Sequence, residues 1–217
     1  ASFDGNEMMY YGNKGLATGA NYRVTDLCED YLGNLWIISP ELGIVFFNRK
    51  SGLFKRIEIP INEKIQSPKI QFVKVYIDRQ GIILIGTWNR GFFTYDPQTK
   101  VSHHFNLNPA KAAEWENRYQ NSVRNILQDT RDNTIFWLAC YGSGLYSFNT
   151  KTTQLKKNFR NADVKDTAWQ STCITGLFQL NDSIIWVHTW GYGMGEYNTN
   201  TGFYKCYKHN SRVRGEV

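Results

Sequence analysis

No stretch of this sequence is long and apolar enough to span a membrane as a helix. The longest apolar runs, such as Ile82-Ile83-Leu84-Ile85, are strand-sized, against the roughly 18–20 residues a span needs. The chain opens Ala1-Ser2-Phe3-Asp4 with no basic-then-apolar leader, so a cytosolic chain or a removed leader is expected. Cysteine is scarce: Cys28, Cys140, Cys173 and Cys206 include no CxxC pair, which argues against a zinc cluster. They are spaced too widely for a small secreted disulfide framework. Buried free thiols are the expectation, with one bridge left open in an oxidising compartment. His103, His104, His188 and His209 have no metal-ligand spacing. There is no Walker-type or GxGxxG loop, because Gly191-Tyr192-Gly193-Met194-Gly195 precedes a strand rather than a helix. Ser143 in Gly142-Ser143-Gly144 lacks the strand-to-helix setting of a nucleophile elbow. No catalytic residue, metal or cofactor is therefore expected.

Charge excludes little. The 25 Lys+Arg against 19 Asp+Glu give +6, but the cations are scattered among acids. The dense basic segments, residues 156–160 and 205–214, read as solvated surface, and no nucleic-acid partner is expected. What the chain has in quantity is aromatic side chains, 7 Trp, 13 Tyr and 13 Phe, within a 41% apolar composition. That excludes disorder, and 217 residues suit a single all-β domain.

The sequence repeats. Gly43-Ile44-Val45-Phe46-Phe47-Asn48, Gly91-Phe92-Phe93-Thr94-Tyr95-Asp96, Gly144-Leu145-Tyr146-Ser147-Phe148-Asn149 and Gly193-Met194-Gly195-Glu196-Tyr197-Asn198 all read Gly-x-x-x-aromatic-Asp/Asn. Three residues further on stand Ser51, Thr99, Thr152 and Thr201. Upstream of each glycine lies a short apolar strand containing Trp36, Leu84, Trp137 or Trp186. Before it come Val24-x-x-Leu27-x-x-Asp30, Phe72-x-x-Val75-x-x-Asp78, Val123-x-x-Ile126-x-x-Asp129 and Ile174-x-x-Leu177-x-x-Leu180. The glycines are 48, 53 and 49 residues apart. Each unit thus holds four short strands joined by Asn/Asp/Gly turns, the fourth at residues 53–59, 101–107, 154–159 and 203–209. Four antiparallel strands per unit of roughly 40–50 residues predict a β-propeller blade; a sandwich of matched strands is the alternative.

The blades are expected at 21–60, 70–107, 121–160 and 172–209. Residues 3–11 read as the outer strand of a preceding blade, because Phe3-Asp4 matches the aromatic-Asp pair. Residues 210–217 read as the start of a next blade, because Asn210-Ser211-Arg212-Val213 echoes Asn21-Tyr22-Arg23-Val24. The expectation is four complete blades forming an incomplete arc of a larger propeller, with open ends covered by further blades or another chain.

The composite Val-x-x-Ile/Leu-x-x-Asp-x-x-Gly-Asn-Leu-Trp-Ile, followed by Gly-x-x-x-Tyr-Asp-x-x-Thr, resembles the two-component regulator propeller repeat. The nearest copy is residues 24–52, introduced by Gly15-Leu16. Leu84 replaces the Trp, Leu180 replaces the Asp, and the Thr column reads Ser39, Thr87, Cys140, Thr189, which marks these columns as structural. The resemblance implies the periplasmic sensor region of a hybrid histidine kinase whose kinase lies outside this chain. It also implies oligosaccharide or other small ligands, no direct membrane contact in this segment, and relay through a homo-oligomer.

In a propeller, loops joining second and third strands share a face with the segments joining successive blades. The first set, residues 40–42, 88–90, 141–143 and 190–192, offers Trp88, Arg90, Tyr141, Trp190 and Tyr192. The second set, residues 62–71, 108–121 and 161–172, offers Trp115, Arg118, Tyr119 and Trp169. Aromatic faces beside cations and polar groups suit a sugar or aromatic ligand, since a flat ring covers apolar area while donors fix orientation. The competing expectation is that these rings wedge between blades. Trp36, Trp137 and Trp186 are expected in the core, and Asp30, Asp78 and Asp129 to bond turn amides. A ligand-sensing module is the leading function. A protein-docking scaffold is the alternative, and a propeller lyase or glycosidase would need paired carboxylates or a metal cluster that no repeat column supplies.

Overall fold

The structure, a computed structural model, describes residues 2–3, 5–9, 22–61, 70–107, 121–159, 173–191 and 193–207. Strands β1 (Ser2–Phe3) and β2 (Met8–Met9) pair as a short ladder. Four sheets of four strands follow. Blade 1 is β3 (Asp26–Glu29), β4 (Leu35–Ser39), β5 (Gly43–Asn48) and β6 (Leu53–Ile57). Blade 2 is β7 (Phe72–Ile77), β8 (Ile83–Thr87), β9 (Phe92–Asp96) and β10 (Val101–Phe105). Blade 3 is β11 (Ser122–Gln128), β12 (Ile135–Tyr141), β13 (Gly144–Asn149) and β14 (Leu155–Phe159). Blade 4 is β15 (Ile174–Gln179), β16 (Ile184–Thr189), β17 (Gly193–Asn198) and β18 (Tyr204–Tyr207). Every sheet runs in chain order with antiparallel neighbours, and no described residue is α-helical. The first strands β3, β7, β11 and β15 touch one another in succession, so they are innermost and the fourth strands form the rim. The expected all-β propeller blades are borne out.

Turn chemistry explains why the repeat columns are what they are. Asp30 Oδ1 accepts the amides of Leu32 and Asn34, both at 2.9 Å, and Asp78 Oδ1 accepts those of Gln80 and Ile82 at 2.9 and 2.8 Å. Asp129 does the same for Arg131 and Asp132. In blade 4, where Leu180 stands, Asn181 takes over and accepts the Ser183 and Ile184 amides. The second carboxylate oxygen has another duty: Asp129 Oδ2 accepts the Trp137 indole N–H at 2.8 Å, and Asp30 Oδ2 that of Trp36 at 3.3 Å. The Asp and Trp columns are therefore one device, half of which is missing in blades 2 and 4. The anchor glycines Gly43, Gly91, Gly144 and Gly193 all have φ between 66° and 94°, a left-handed conformation that a side chain makes costly. The same backbone recurs after the third strand at Gly52 and Gly202, but there Lys100 and Thr153 occupy it in blades 2 and 3.

Three apolar clusters hold the blades together, each shared by two neighbours. Trp36, Ile38 and Ile44 of blade 1 pack on Val75, Ile83 and Phe93 of blade 2. Leu84 and Phe92 of blade 2 meet Ile126, Phe136 and Phe148 of blade 3. Trp137 and Leu145 of blade 3 meet Ile174, Ile185 and Tyr197 of blade 4. Each fully buried Leu, Ile or Phe contributes about 1.5–3 kcal/mol. Among the described residues no cluster joins blade 4 back to blade 1, and the equivalent faces there stay open. Phe178 is 65% and Met194 47% exposed, where Phe92 and Leu145 in the Met194 column are fully buried. Leu27 is 57% exposed, where its counterpart Val75 is 1%. Trp186, expected in the core, is half-buried on this open face and stacks on Tyr207 at 5.2 Å. The four blades form an arc, not a closed four-bladed ring.

The rim strands β6, β10, β14 and β18 contain no Asp or Glu but expose Lys55, Arg56, Lys156, Lys157 and Lys205. Charged side chains on an edge strand oppose pairing with another sheet, a local role for these cations. Cys28, Cys140 and Cys173 are free thiols; Cys140 is fully buried, which pushes its thiol far up from the ordinary value.

Candidate functional site

The upper face is the end of the arc where β4–β5, β8–β9, β12–β13 and β16–β17 turn over. Its loops are held by hydroxyl caps. Thr87 Oγ1 donates to Gly91 O at 2.9 Å and accepts the Arg90 amide at 2.8 Å, while Thr189 Oγ1 donates to Gly193 O at 3.1 Å. Ser39 accepts the Leu42 amide at 3.3 Å. Cys140 fills the same column in blade 3 with its thiol turned to Leu138 O. The hydroxyl column is a loop support, as its uneven composition implied.

At the seam of blades 2 and 3 the loops lock together. The Gly91 amide donates to Asn121 O at 2.6 Å, and Asn121 Oδ1 accepts the Leu107 amide at 3.0 Å. A Cβ on Gly91 would lie 2.1 Å from Phe105 O, so only glycine fits. Across the seam, joined at Gly91 and Asn121, Trp88 of blade 2 lies against Tyr141 of blade 3, ring centroids 5.4 Å apart at 32°. The guanidinium of Arg124 lies over the Trp88 ring, 4.3 Å from its centroid. Arg124 occupies the position where the β11–β12 register slips between Val123 and Asn125, a bulge that re-aims the side chain. Burial pushes its pKa down from the ordinary guanidinium value. Nearby in the chain, Asn89 Oδ1, Ser122 Oγ and Ser143 Oγ are buried with no hydrogen-bond partner among the described residues.

The expected site residues thus separate. Trp88 and Tyr141 come together, half-buried, and they do bridge two blades as the wedge alternative required. Arg90 is half-buried two residues from Trp88; its carbonyl accepts from His104 Nε2 at 2.7 Å, and burial lowers the pKa of that imidazole, which stacks on Phe93. Trp190, in the corresponding loop of blade 4, is 68% exposed. Tyr192, Trp115, Arg118, Tyr119 and Trp169 lie outside the described residues. Arg124 was missed. Its signal in the sequence was a cation in a column that otherwise reads Thr25, Val73 and Thr175. Among the described residues no three His, Cys, Asp or Glu side chains gather to hold a metal.

Two clefts lie elsewhere. One of about 450 Å³ sits on the lower face between the rims of blades 2 and 3, lined by Asp78, Asp96, His103, Phe105, Phe148 and Lys151 among others. The other, also about 450 Å³, is the open face of blade 4 around Phe178, Trp186, His188 and Met194.

No protein-family model and no curated protein matches the chain. Solved structures do. The extracellular domain of BT3049 of B. thetaiotaomicron, described as a hybrid two component system, is 19% identical with TM-score 0.70, over 90% of this chain and 25% of that one. That of BT4673 of the same organism, so described, is 18% identical with TM-score 0.67, over 89% and 23%. A catalytically inactive virginiamycin B lyase from Staphylococcus aureus with quinupristin is 15% identical with TM-score 0.65, over 90% and 59%. This chain spans about a quarter of the length of the two B. thetaiotaomicron domains. The likenesses concern the fold, and they agree with the propeller repeat that the sequence resembles.

Proposed function

We propose that this chain is a ligand-sensing segment of a propeller in a periplasmic two-component sensor, and that it binds oligosaccharide fragments on its upper face. The observation that carries the reading is the Trp88–Tyr141–Arg124 assembly at the seam of blades 2 and 3. Aromatic edges and faces supply apolar contact to a pyranose ring, and Arg90 and Arg124 supply fixed donors. Binding across two blades also suits signalling, because a ligand that touches both changes how they pack and can bias a relay to a kinase outside this chain. A sensor role is further supported by the extracellular two-component domains that share the fold. Isothermal titration of the intact protein against a panel of oligosaccharides tests the proposal. Saturable heat that falls at least tenfold in affinity with Trp88→Ala supports it; silence across the panel contradicts it.

The lyase neighbour gives a second reading, elimination chemistry on the same face. It requires an acid/base pair near bound substrate. The described upper face offers arginines and aromatics at the seam, and its one imidazole there, His104, is turned to a backbone carbonyl. Binding without turnover is the favoured reading.

A further inference from the structure

Arg124 is unlike its counterparts. The equivalent inner-strand positions hold Thr25, Val73 and Thr175, and Thr175 Oγ1 is hydrogen-bonded to His188 Nδ1 at 2.8 Å. A residue needed only to complete a blade would recur with the repeat; a single arginine at one seam does not. Its charge is also unanswered locally. Among the described residues no ion pair involves Arg124; the pairs Arg23–Glu41, Arg49–Glu29, Lys74–Asp26 and Arg131–Asp129 lie elsewhere. A half-buried cation has lost part of its hydration, and here an indole face replaces only some of it. Stacking on Trp88 restrains the guanidinium, so a second charge could use its planar N–H fork at little entropic cost. Carboxylate and sulfate oxygens match that fork in geometry and sign.

We propose that the upper-face ligand is an acidic saccharide whose carboxylate or sulfate pairs with Arg124 at the seam of blades 2 and 3. The inference rests on the reading of this face as the ligand-binding face and names the class of ligand. The anion supplies specificity, because a neutral sugar leaves the cation unanswered and an acidic one completes it.

The test is calorimetric titration of the intact protein with trigalacturonate, with its methyl ester, and with a sulfated disaccharide, at two salt concentrations. One acidic probe should bind at least tenfold more tightly than the ester and weaken as salt rises. Which of the two acidic probes binds identifies the anion. Arg124→Met should abolish the tenfold preference. Arg124→Lys, which keeps charge but loses the fork, should retain the salt dependence with weaker binding; melting curves establish that both variants fold. An ester that binds as tightly as the acid, or a folded Arg124→Met that keeps the preference, overturns this inference and leaves the upper face as a saccharide site. Absence of binding by all three probes and by a neutral panel overturns both readings.

Discussion

Asn at position 129 should destabilise the protein, whereas Asn at position 78 should not, although the two aspartates occupy the same repeat column. Asp129 is buried, and its two oxygens serve different donors: Oδ1 takes the Arg131 and Asp132 amides, Oδ2 the indole of Trp137 at 2.8 Å. Asn has one oxygen. Whichever way the amide is turned, an N–H group then faces either the indole N–H or the turn amides. Losing a hydrogen bond to a charged group costs about 1.5–3 kcal/mol. For a chain of this size ~2 kcal/mol lowers Tm by roughly 4–8 °C. Asp78 has Leu84 where the Trp would be, so its amides need only one oxygen and Asn can supply it. Burial raises the Asp78 pKa, so the folded protein favours its protonated form. A raised carboxyl pKa stabilises fully below the unfolded-state value, and that stabilisation is lost as pH rises through the folded-state value. At neutral pH the ionised Asp78 is a burden, and Asp78→Asn should raise Tm there, with the gain shrinking as pH falls toward about 4. Scanning calorimetry of both variants at neutral and acid pH reads the difference. Equal losses at the two positions, or a gain for Asp78→Asn that grows on acidification, would refute the two-oxygen account.

Two further outcomes follow from the backbone. Thr153 sits at φ 55° where Gly52 and Gly202 stand in blades 1 and 4, so Thr153→Gly should stabilise by about 1 kcal/mol in chemical denaturation, despite the usual cost of glycine. Gly91→Ala adds a Cβ 2.1 Å from Phe105 O at φ +66° and should cost at least about 3 kcal/mol, from strain and a forced backbone shift at the seam.

The architecture was legible because the repeat writes each blade's turns in residues with one local job. Asp30, Asn48 and Gly43 act within a few positions of themselves, so their spacing reveals their function. The Asp–Trp indole bond was not read, although both columns were visible, because it joins positions six to eight residues apart across a turn. The candidate site was only partly legible for the same reason. Trp88 and Tyr141 stood out as a column, but their contact depends on the tight approach of two blades at Gly91 and Asn121. Arg124 hid in an inner strand whose alternation makes it look like an ordinary outward-facing residue; the bulge that aims it is a register fact that no single-residue pattern shows.

Amide hydrogen exchange of the intact protein with and without a saturating oligosaccharide tests most directly whether the upper face of this arc is where ligand is sensed. Protection should rise at residues 88–91, 122–125 and 141–143, at the seam of blades 2 and 3, and leave the lower turns at 78–81 and 96–99 unchanged. Protection confined to those lower turns, or bound ligand with no change at the seam, would contradict the account.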